Sequence, residues 1–441
     1  MNTFVQVAEW LANNLFGQPV ILIGLIVLLG LVLQKKNTSQ TMSGTFKAMI
    51  GFLIINIGAG TITAALEVFQ PMWAAVFGLE QQSLGEYQGF EAFSSRYGGV
   101  IALAMTLGFL INVLLARITP FKYIYLTGHM MFWTTAIFAG IMVDTLGVDI
   151  EINRWSLILI LAVIMGVYWT LQPAITQPFM RKVIGSNDLA LGHTSGSVAL
   201  LGGLAGKWFG NKENDTEKLK VPKGMEFLKD SNVIIALVMG ALYVVGAALL
   251  MLSGAPGAAE LMASAGDNNF IVFSIIKAFE FAAGIAVVLF GVRMLIGELV
   301  PAFRGIATKI VPNAKPALDA PVVFPYAPTA TIVGFVSAFA ASLIWLVVLG
   351  AAVSYVFVPT MIVIFFHAAT AGVFGNATGG VRGAIFGGVI TATVVAWGQY
   401  IMVTALLSST IPDTAMWAAD SDMFILGPVI KLLANIFRFL L

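Results

Sequence analysis

The chain has no cysteine among its 441 residues, which excludes disulfides, thiolate metal sites and a cysteine nucleophile on this polypeptide. Charge is also scarce. Only 10% of residues are Asp, Glu, Lys or Arg, against roughly 25% in a soluble domain. With 59% hydrophobic residues and a mean hydropathy of +0.93, the chain would not stay dissolved in water, so soluble enzymes, nucleic-acid binders and disordered scaffolds are excluded. The 23 basic and 22 acidic residues balance to +1, giving no case for a polyanionic partner such as nucleic acid. No Gly-x-x-x-x-Gly-Lys-Ser/Thr run occurs, so ATP hydrolysis by that route is absent, and no His-Glu-x-x-His or clustered ligand spacing suggests a metal. Nothing here calls for a cofactor. What remains is an all-α polytopic membrane protein.

A helix needs about 20 apolar residues to cross the hydrocarbon core. Apolar runs occur at Pro19–Gln34, Phe46–Phe69, Gly98–Ala116, Ile124–Val143, Leu157–Leu171, Val233–Leu252, Phe270–Phe290, Thr331–Gly350, Ala352–Phe366, Ile385–Leu407 and Met423–Leu441. They predict about eleven spans. Met1–Phe16, with Glu9 and Trp10, is too polar to span and reads as an amphipathic helix on the membrane surface; it has no basic start or cleavage site of a secretory signal. The hydrophilic stretch 210–231 separates a first membrane half, 1–209, from a second, 232–441. Five spans before it and six after it suit an inverted repeat. Gln70–Tyr97 and Val300–Ala330 occupy equivalent places in the two halves and mix apolar residues with Gly, Pro and polar ones, as segments that dip into the membrane without crossing do.

Basic residues collect in alternate connections, from Lys35 and Lys36 after the first run to Arg382 after the ninth, while Glu80, Glu86, Asp144, Asp149, Glu260, Asp413, Asp420 and Asp422 mark the others. The positive-inside rule then places the N-terminus outside and the C-terminus in the cytoplasm.

Ionisable residues within apolar surroundings are costly and are functional hypotheses by default. His129 lies in Thr127-Gly128-His129-Met130, His193 in Gly192-His193-Thr194-Ser195, and His367 closes the ninth run after Phe365-Phe366. Each could cap a helix or bond a neighbouring carbonyl. His129 and His193 also follow glycine beside hydroxyl residues, which suits a sugar-like ligand. Asp319 sits among Pro312, Pro316, Pro321, Pro325 and Pro328, which forbid a continuous helix. A carboxylate on a broken segment can accept from ligand hydroxyls; a salt bridge to Lys315 or a helix cap is the alternative. Lys277 with Glu280, and Glu298 with Arg293, read as local ion pairs. Gly58-Ala59-Gly60 suits close helix packing.

These stretches carry a family resemblance. Gly44-Thr45-Phe46-Lys47 through Gly58-Ala59-Gly60, Thr127-Gly128-His129, Leu191-Gly192-His193, Gly291-Val292-Arg293-Met294 with Glu298-Leu299, and Asp319 with Tyr326-Ala327-Pro328 resemble the ascorbate-type membrane component (EIIC) of the bacterial phosphoenolpyruvate-dependent sugar phosphotransferase system. The resemblance covers nearly the whole chain. It implies eleven spans with two re-entrant hairpins, a core domain plus a V-shaped dimerisation domain, a homodimer in the inner membrane and an elevator-like movement of the core. It also implies L-ascorbate (vitamin C) as substrate, and cytoplasmic EIIB and EIIA partners. EIIB would phosphorylate the sugar from its own phosphocysteine, so this chain would be a transport subunit without a catalytic nucleophile. The family's substrate contacts carry over to Gly58, Tyr87, His129, His193 with Thr194, and Asp319. The chain departs from glutamine-rich members at Asn56, at Phe132-Trp133-Thr134 and at Thr194-Ser195.

Two other classes compete with group translocation. A proton- or sodium-coupled transporter of a sugar acid or polyol would use Asp319 and a histidine for coupling. An intramembrane enzyme would have only Ser195 near His193 as a nucleophile, without a catalytic geometry in the neighbouring sequence.

Overall fold

The computed structural model describes residues 10, 19–78, 84, 86–148, 152–218, 231–255, 257–357, 359–416 and 418–440. The surface helix expected at Met1–Phe16 lies, apart from Trp10, outside them, as do residues 219–230 of the central stretch. Among the described residues eight helices are long and apolar enough to cross a membrane, and a shorter apolar one accompanies them.

Helices α1 (Pro19–Leu33), α2 (Thr38–Val76), α7 (Ser231–Ser253) and α9 (Phe270–Lys309) form one bundle; the short α8 (Ala258–Ala263) lies between the last two. Its axis is the crossing of α2 on α9. Gly51 and Gly58, seven residues apart, face Gly291 and Gly284, so the helices run antiparallel. A Cβ on Gly58 would stand 2.7 Å from the Gly284 carbonyl oxygen, and one on Gly291 would stand 2.7 Å from the Ile55 nitrogen. Small residues let backbones approach where apolar burial gives no advantage over lipid. Glu298 pairs across this crossing with Lys47 at 3.7 Å rather than with Arg293 in its own helix, whereas Lys277 and Glu280 do form the expected local pair at 2.8 Å.

The second bundle contains α3 (Gly89–Ile118), α4 (Gly128–Leu146), α5 (Arg154–Ile184), α6 (Gly196–Phe209), α10 (Pro328–Val353), α11 (Met361–Ile401), α12 (Pro412–Ala415) and α13 (Ser421–Ile436). Helix α11 is bent back on itself at Gly380 (φ 60°, ψ −150°). Gly375 lies against Gly383, and Gly387 against Ala371, so its two halves are antiparallel. The ninth run, expected at Ala352–Phe366, is divided: α10 ends at Val353, Ser354 takes φ 53°, and the next helix starts only at Met361. The tip at Gly379–Gly380 is covered by residues of the central stretch. Asn211 N–H donates to the Gly379 carbonyl at 2.9 Å and Val381 N–H to the Asn214 carbonyl at 2.8 Å.

Of the segments expected to dip without crossing, Val300–Ala330 is the irregular one. It leaves α9, forms strand β3 (Lys315–Leu318) and a 3-10 turn over Ala320–Tyr326, then enters α10. Its counterpart Gln70–Tyr97 is mostly the end of α2 and the start of α3. Strand β3 pairs in parallel with β1 (Tyr123–Tyr125) on one side and β2 (Ala190–Leu191) on the other. An open sheet edge is costly in a lipid environment, and side chains cover both edges here. Asn112 donates to the Tyr123 carbonyl at 3.1 Å and accepts from Tyr125 N–H at 3.1 Å, while Gln177 donates to the Leu189 carbonyl at 3.0 Å.

Candidate functional site

Because the three strands are parallel, their C-terminal ends open on one side, and each leads directly into a polar residue. β1 runs through Thr127 to His129 on the first turn of α4; β2 runs into His193; β3 runs into Asp319. The Asp319 carboxylate lies between the two imidazoles, with Oδ2 3.6 Å from His129 Nε2 and Oδ1 3.6 Å from His193 Nε2. Asp319 also caps the 3-10 turn, Oδ1 accepting Ala320 N–H at 2.7 Å. Of the two structural alternatives for this carboxylate, the cap is present and the salt bridge is not, since Lys315 lies over the Tyr123 ring.

The histidines differ in their surroundings. The His129 side chain is 48% exposed and that of His193 only 3%. His193 Nδ1 accepts the backbone N–H of Ser195 at 3.0 Å. In the neutral ring the proton therefore sits on Nε2, directed at Asp319. The Thr127 hydroxyl donates to the Gly192 carbonyl at 2.5 Å, tying the two loops together.

His129 and Asp319 line a small cavity together with Leu126, Pro321 and Val322 from the second bundle and with Phe52, Ile55 and Leu295 from α2 and α9. The site thus lies between the two bundles. Its free volume, about 30 Å³, admits water but no six-carbon acid. Of the other residues singled out in the sequence, Thr194 is buried behind His193 and donates to Asp420. Gly58 is committed to the α2–α9 crossing one turn from Ile55. Tyr87 lies in the approach to α3, 37% exposed, beside a backbone that bonds Ser409 and Thr410; it has no bond to the His–Asp–His group.

The structure adds His367, Asp420 and Asp422. Both aspartates were expected in an exposed acidic loop, yet they are 2% and 3% exposed. They start α13 against the start of α6: Asp422 Oδ1 accepts Ser197 N–H at 2.6 Å, and Oδ2 accepts the Tyr168 hydroxyl at 2.7 Å. Their signal was present as Asp-Ser-Asp immediately before an apolar run, a helix-start pattern.

Comparison with known proteins bears directly on this arrangement. A family profile described as the PTS system sugar-specific permease component, EIIC-GAT, matches residues 14–422. The chain belongs to this family. The EIIC-GAT match takes in β1, β2, β3 and every residue of the His–Asp–His group. The chain is also similar to the ascorbate-specific PTS system EIIC component of Mycoplasma pneumoniae, at 26% identity over 418 positions, covering 85% of this chain. It spans 63% of the length of that relative. As a member of EIIC-GAT with eight helices long and apolar enough to cross a membrane among its described residues, the chain is a multi-pass membrane protein.

Proposed function

We propose that the chain binds L-ascorbate between His129, His193 and Asp319 and carries it across the bacterial inner membrane for phosphorylation by a separate EIIB, which EIIA recharges. The observation that carries this reading is the convergence of two imidazoles and a carboxylate at the ends of three parallel strands. Imidazole both donates and accepts, the carboxylate accepts from hydroxyls, and the Nε2–H of His193 already points into the group. Ascorbate is an enol acid, an anion at neutral pH that still carries hydroxyl donors, and it suits such an alternation.

The phosphoryl step breaks the S–P bond of the EIIB phosphocysteine and forms an O–P bond to the sugar, and the hydroxyl proton of the sugar passes to the departing cysteine thiolate. This chain supplies no nucleophile; it orients the acceptor hydroxyl. The small cavity between the bundles supports an elevator-like exchange, in which the strand-bearing bundle moves against α1, α2, α7 and α9. The antiparallel crossing of α2 and α9 supports an inverted repeat with halves 1–209 and 232–441. A homodimer formed through the first bundle, with the N-terminus outside and the C-terminus in the cytoplasm, completes the proposal.

The test is uptake of labelled L-ascorbate by cells expressing the chain with EIIB and the general phosphotransferase proteins, followed by identification of the internal label. Ascorbate phosphate that disappears when EIIB loses its cysteine is the expected result. Free ascorbate that accumulates without EIIB and falls with a protonophore would establish ion-coupled transport through Asp319 instead. His193→Ala should abolish ascorbate binding; an unchanged Kd would remove the site assignment.

A further inference from the structure

Directly behind the His129–Asp319–His193 group lies a second imidazole–carboxylate pair. His367, on the first half of α11, is 2% exposed. Its ring stands edge-to-face on that of His193, with centroids 4.9 Å apart and planes at 62°. Its Nε2 is 3.6 Å from Asp420 Oδ2, and its Nδ1 is 2.8 Å from the Ser421 hydroxyl. Asp420 in turn accepts the hydroxyl of Thr194, the residue next to His193. The backbone of the same turn is held from α13 as well, since Asp422 N–H donates to the Thr194 carbonyl at 2.9 Å. Two contacts of this second pair, the His367 ring on His193 and the Asp420 bond to Thr194, thus end on the turn that carries His193.

His193, His367 and Asp420 all lie behind the lining of the cavity beside Asp319, and of the three only His193 reaches Asp319, through its Nε2 at 3.6 Å. Among the described residues, neither Asp420 nor Asp422 forms an ion pair with a lysine or arginine. A buried carboxylate facing only imidazole, hydroxyl and amide groups is a poor device for stability, because apolar side chains of equal volume would fill the space at less desolvation cost. A buried polar network does fix one geometry among several; here Asp420 Oδ2 takes the Thr194 hydroxyl, and Oδ1 has no hydrogen-bond partner among the described residues. The geometry it fixes here is that of the His193 ring.

We propose that His367 and Asp420, linked through Thr194, are positioning residues for the sugar site. They hold the His193 imidazole with its Nε2–H directed at Asp319 and thereby set affinity for the solute. The proposal rests on the His129–His193–Asp319 site above, and it extends that site to α11 and α13.

The chain has three histidines, all in this cluster, so a ¹⁵N-histidine spectrum of the 441-residue chain in nanodiscs contains three imidazoles and can be assigned by single substitutions. His367→Phe keeps a ring against His193 and removes both nitrogens. Asp420→Asn keeps an acceptor for Thr194 and removes the charge. Thr194→Val breaks the link without changing shape, and Thr194→Ser restores the hydroxyl. Each variant is titrated with L-ascorbate, and both Kd and the number of sites per folded protein are read.

The first three variants should shift the His193 resonances towards a mixture of tautomers and weaken ascorbate at least tenfold at an unchanged number of sites; Thr194→Ser should stay within twofold of wild type. Fewer sites with an unchanged Kd would mean a merely structural role and overturn the proposal. Unaltered His193 resonances in Asp420→Asn and Thr194→Val would overturn it whether or not ascorbate binds. If the His193 resonances move while the wild-type chain ignores ascorbate, the positioning role stands and the assignment of the solute falls.

Discussion

The carboxylate of Glu217 accepts the backbone N–H of Ala330 at 3.0 Å, and by that bond the stretch between the two halves is fastened to the first turn of α10. The second oxygen accepts Thr329 N–H at 3.3 Å. An anion at a helix start faces unpaired donors and the positive end of the helix dipole, an arrangement worth about 0.3–1 kcal/mol near a surface. Glu217→Gln keeps an acceptor but loses the charge. It should lower the melting temperature by about 1–2 °C and increase protease access to residues 211–218, measured by thermal unfolding and limited trypsin digestion. An unchanged digestion pattern would show that the loop is held elsewhere.

Gly380 is the pivot of the helical hairpin. Its φ of 60° suits glycine, and a Cβ there would lie 2.3 Å from the Asn214 carbonyl oxygen. Gly380→Ala should cost about 1–3 kcal/mol, the usual range for a non-glycine residue held in such a conformation. The expected reading is a lower melting temperature with Asn211 and Asn214 released from the tip; full wild-type stability would contradict the close approach.

At the other crossing, Gly291→Val would drive methyl groups into the α2 backbone around Gly51 and Ile55. Overpacking of this kind costs about 1–3 kcal/mol. Thermal stability in detergent should fall, and Gly58→Val should behave in the same way because it meets the reciprocal face of α9. Additivity of the two losses would argue against a shared contact.

Asp319→Asn separates two roles of one side chain. The amide oxygen can still cap the turn at Ala320, so the protein should fold and melt as wild type. The charge that faces both imidazoles is lost, and hydrogen bonds to a charged group are worth about 1.5–3 kcal/mol. Ascorbate affinity should therefore weaken about 10- to 100-fold, measured by equilibrium binding to purified protein.

Tyr87 was expected at the sugar by resemblance, and it does not line the small cavity beside His129 and Asp319. Because the chain has no native cysteine, Tyr87→Cys gives a single labelling site, 37% exposed at the parent residue. Ascorbate should slow its reaction with a soluble maleimide if closure of the bundles brings this segment to the solute. Equal rates with and without ascorbate would leave Tyr87 outside the site.

How far the sequence reached depended on the kind of signal each element carries. Long apolar runs located most helices, and the prolines around Asp319 marked the only part of its segment that could not be helical. His129 and His193 stood out as polar residues in apolar surroundings. The three strands had no such signal: two to four residues are too few to show an alternating pattern. Residues 367–384 of α11 fell between the ninth and tenth runs because Gly372, Gly375, Gly379 and Gly380 lower their hydropathy, although those glycines are the surfaces on which helices meet. Asp420 and Asp422 were read as loop markers because counting charges treats every acid as solvated. Here two helix starts, a tyrosine and a threonine provide the donors that water would otherwise supply.

The small cavity beside His129 has a consequence for time as well as for space. On the proposed movement of the bundles, capture of a solute larger than this cavity is not a single diffusional encounter, because the bundles would part first. Association should rise with solute concentration only until it reaches the opening rate, in the microsecond-to-millisecond range of domain motions. At saturating solute the chain would keep the tempo of its own helices, whatever the speed of the phosphate donor.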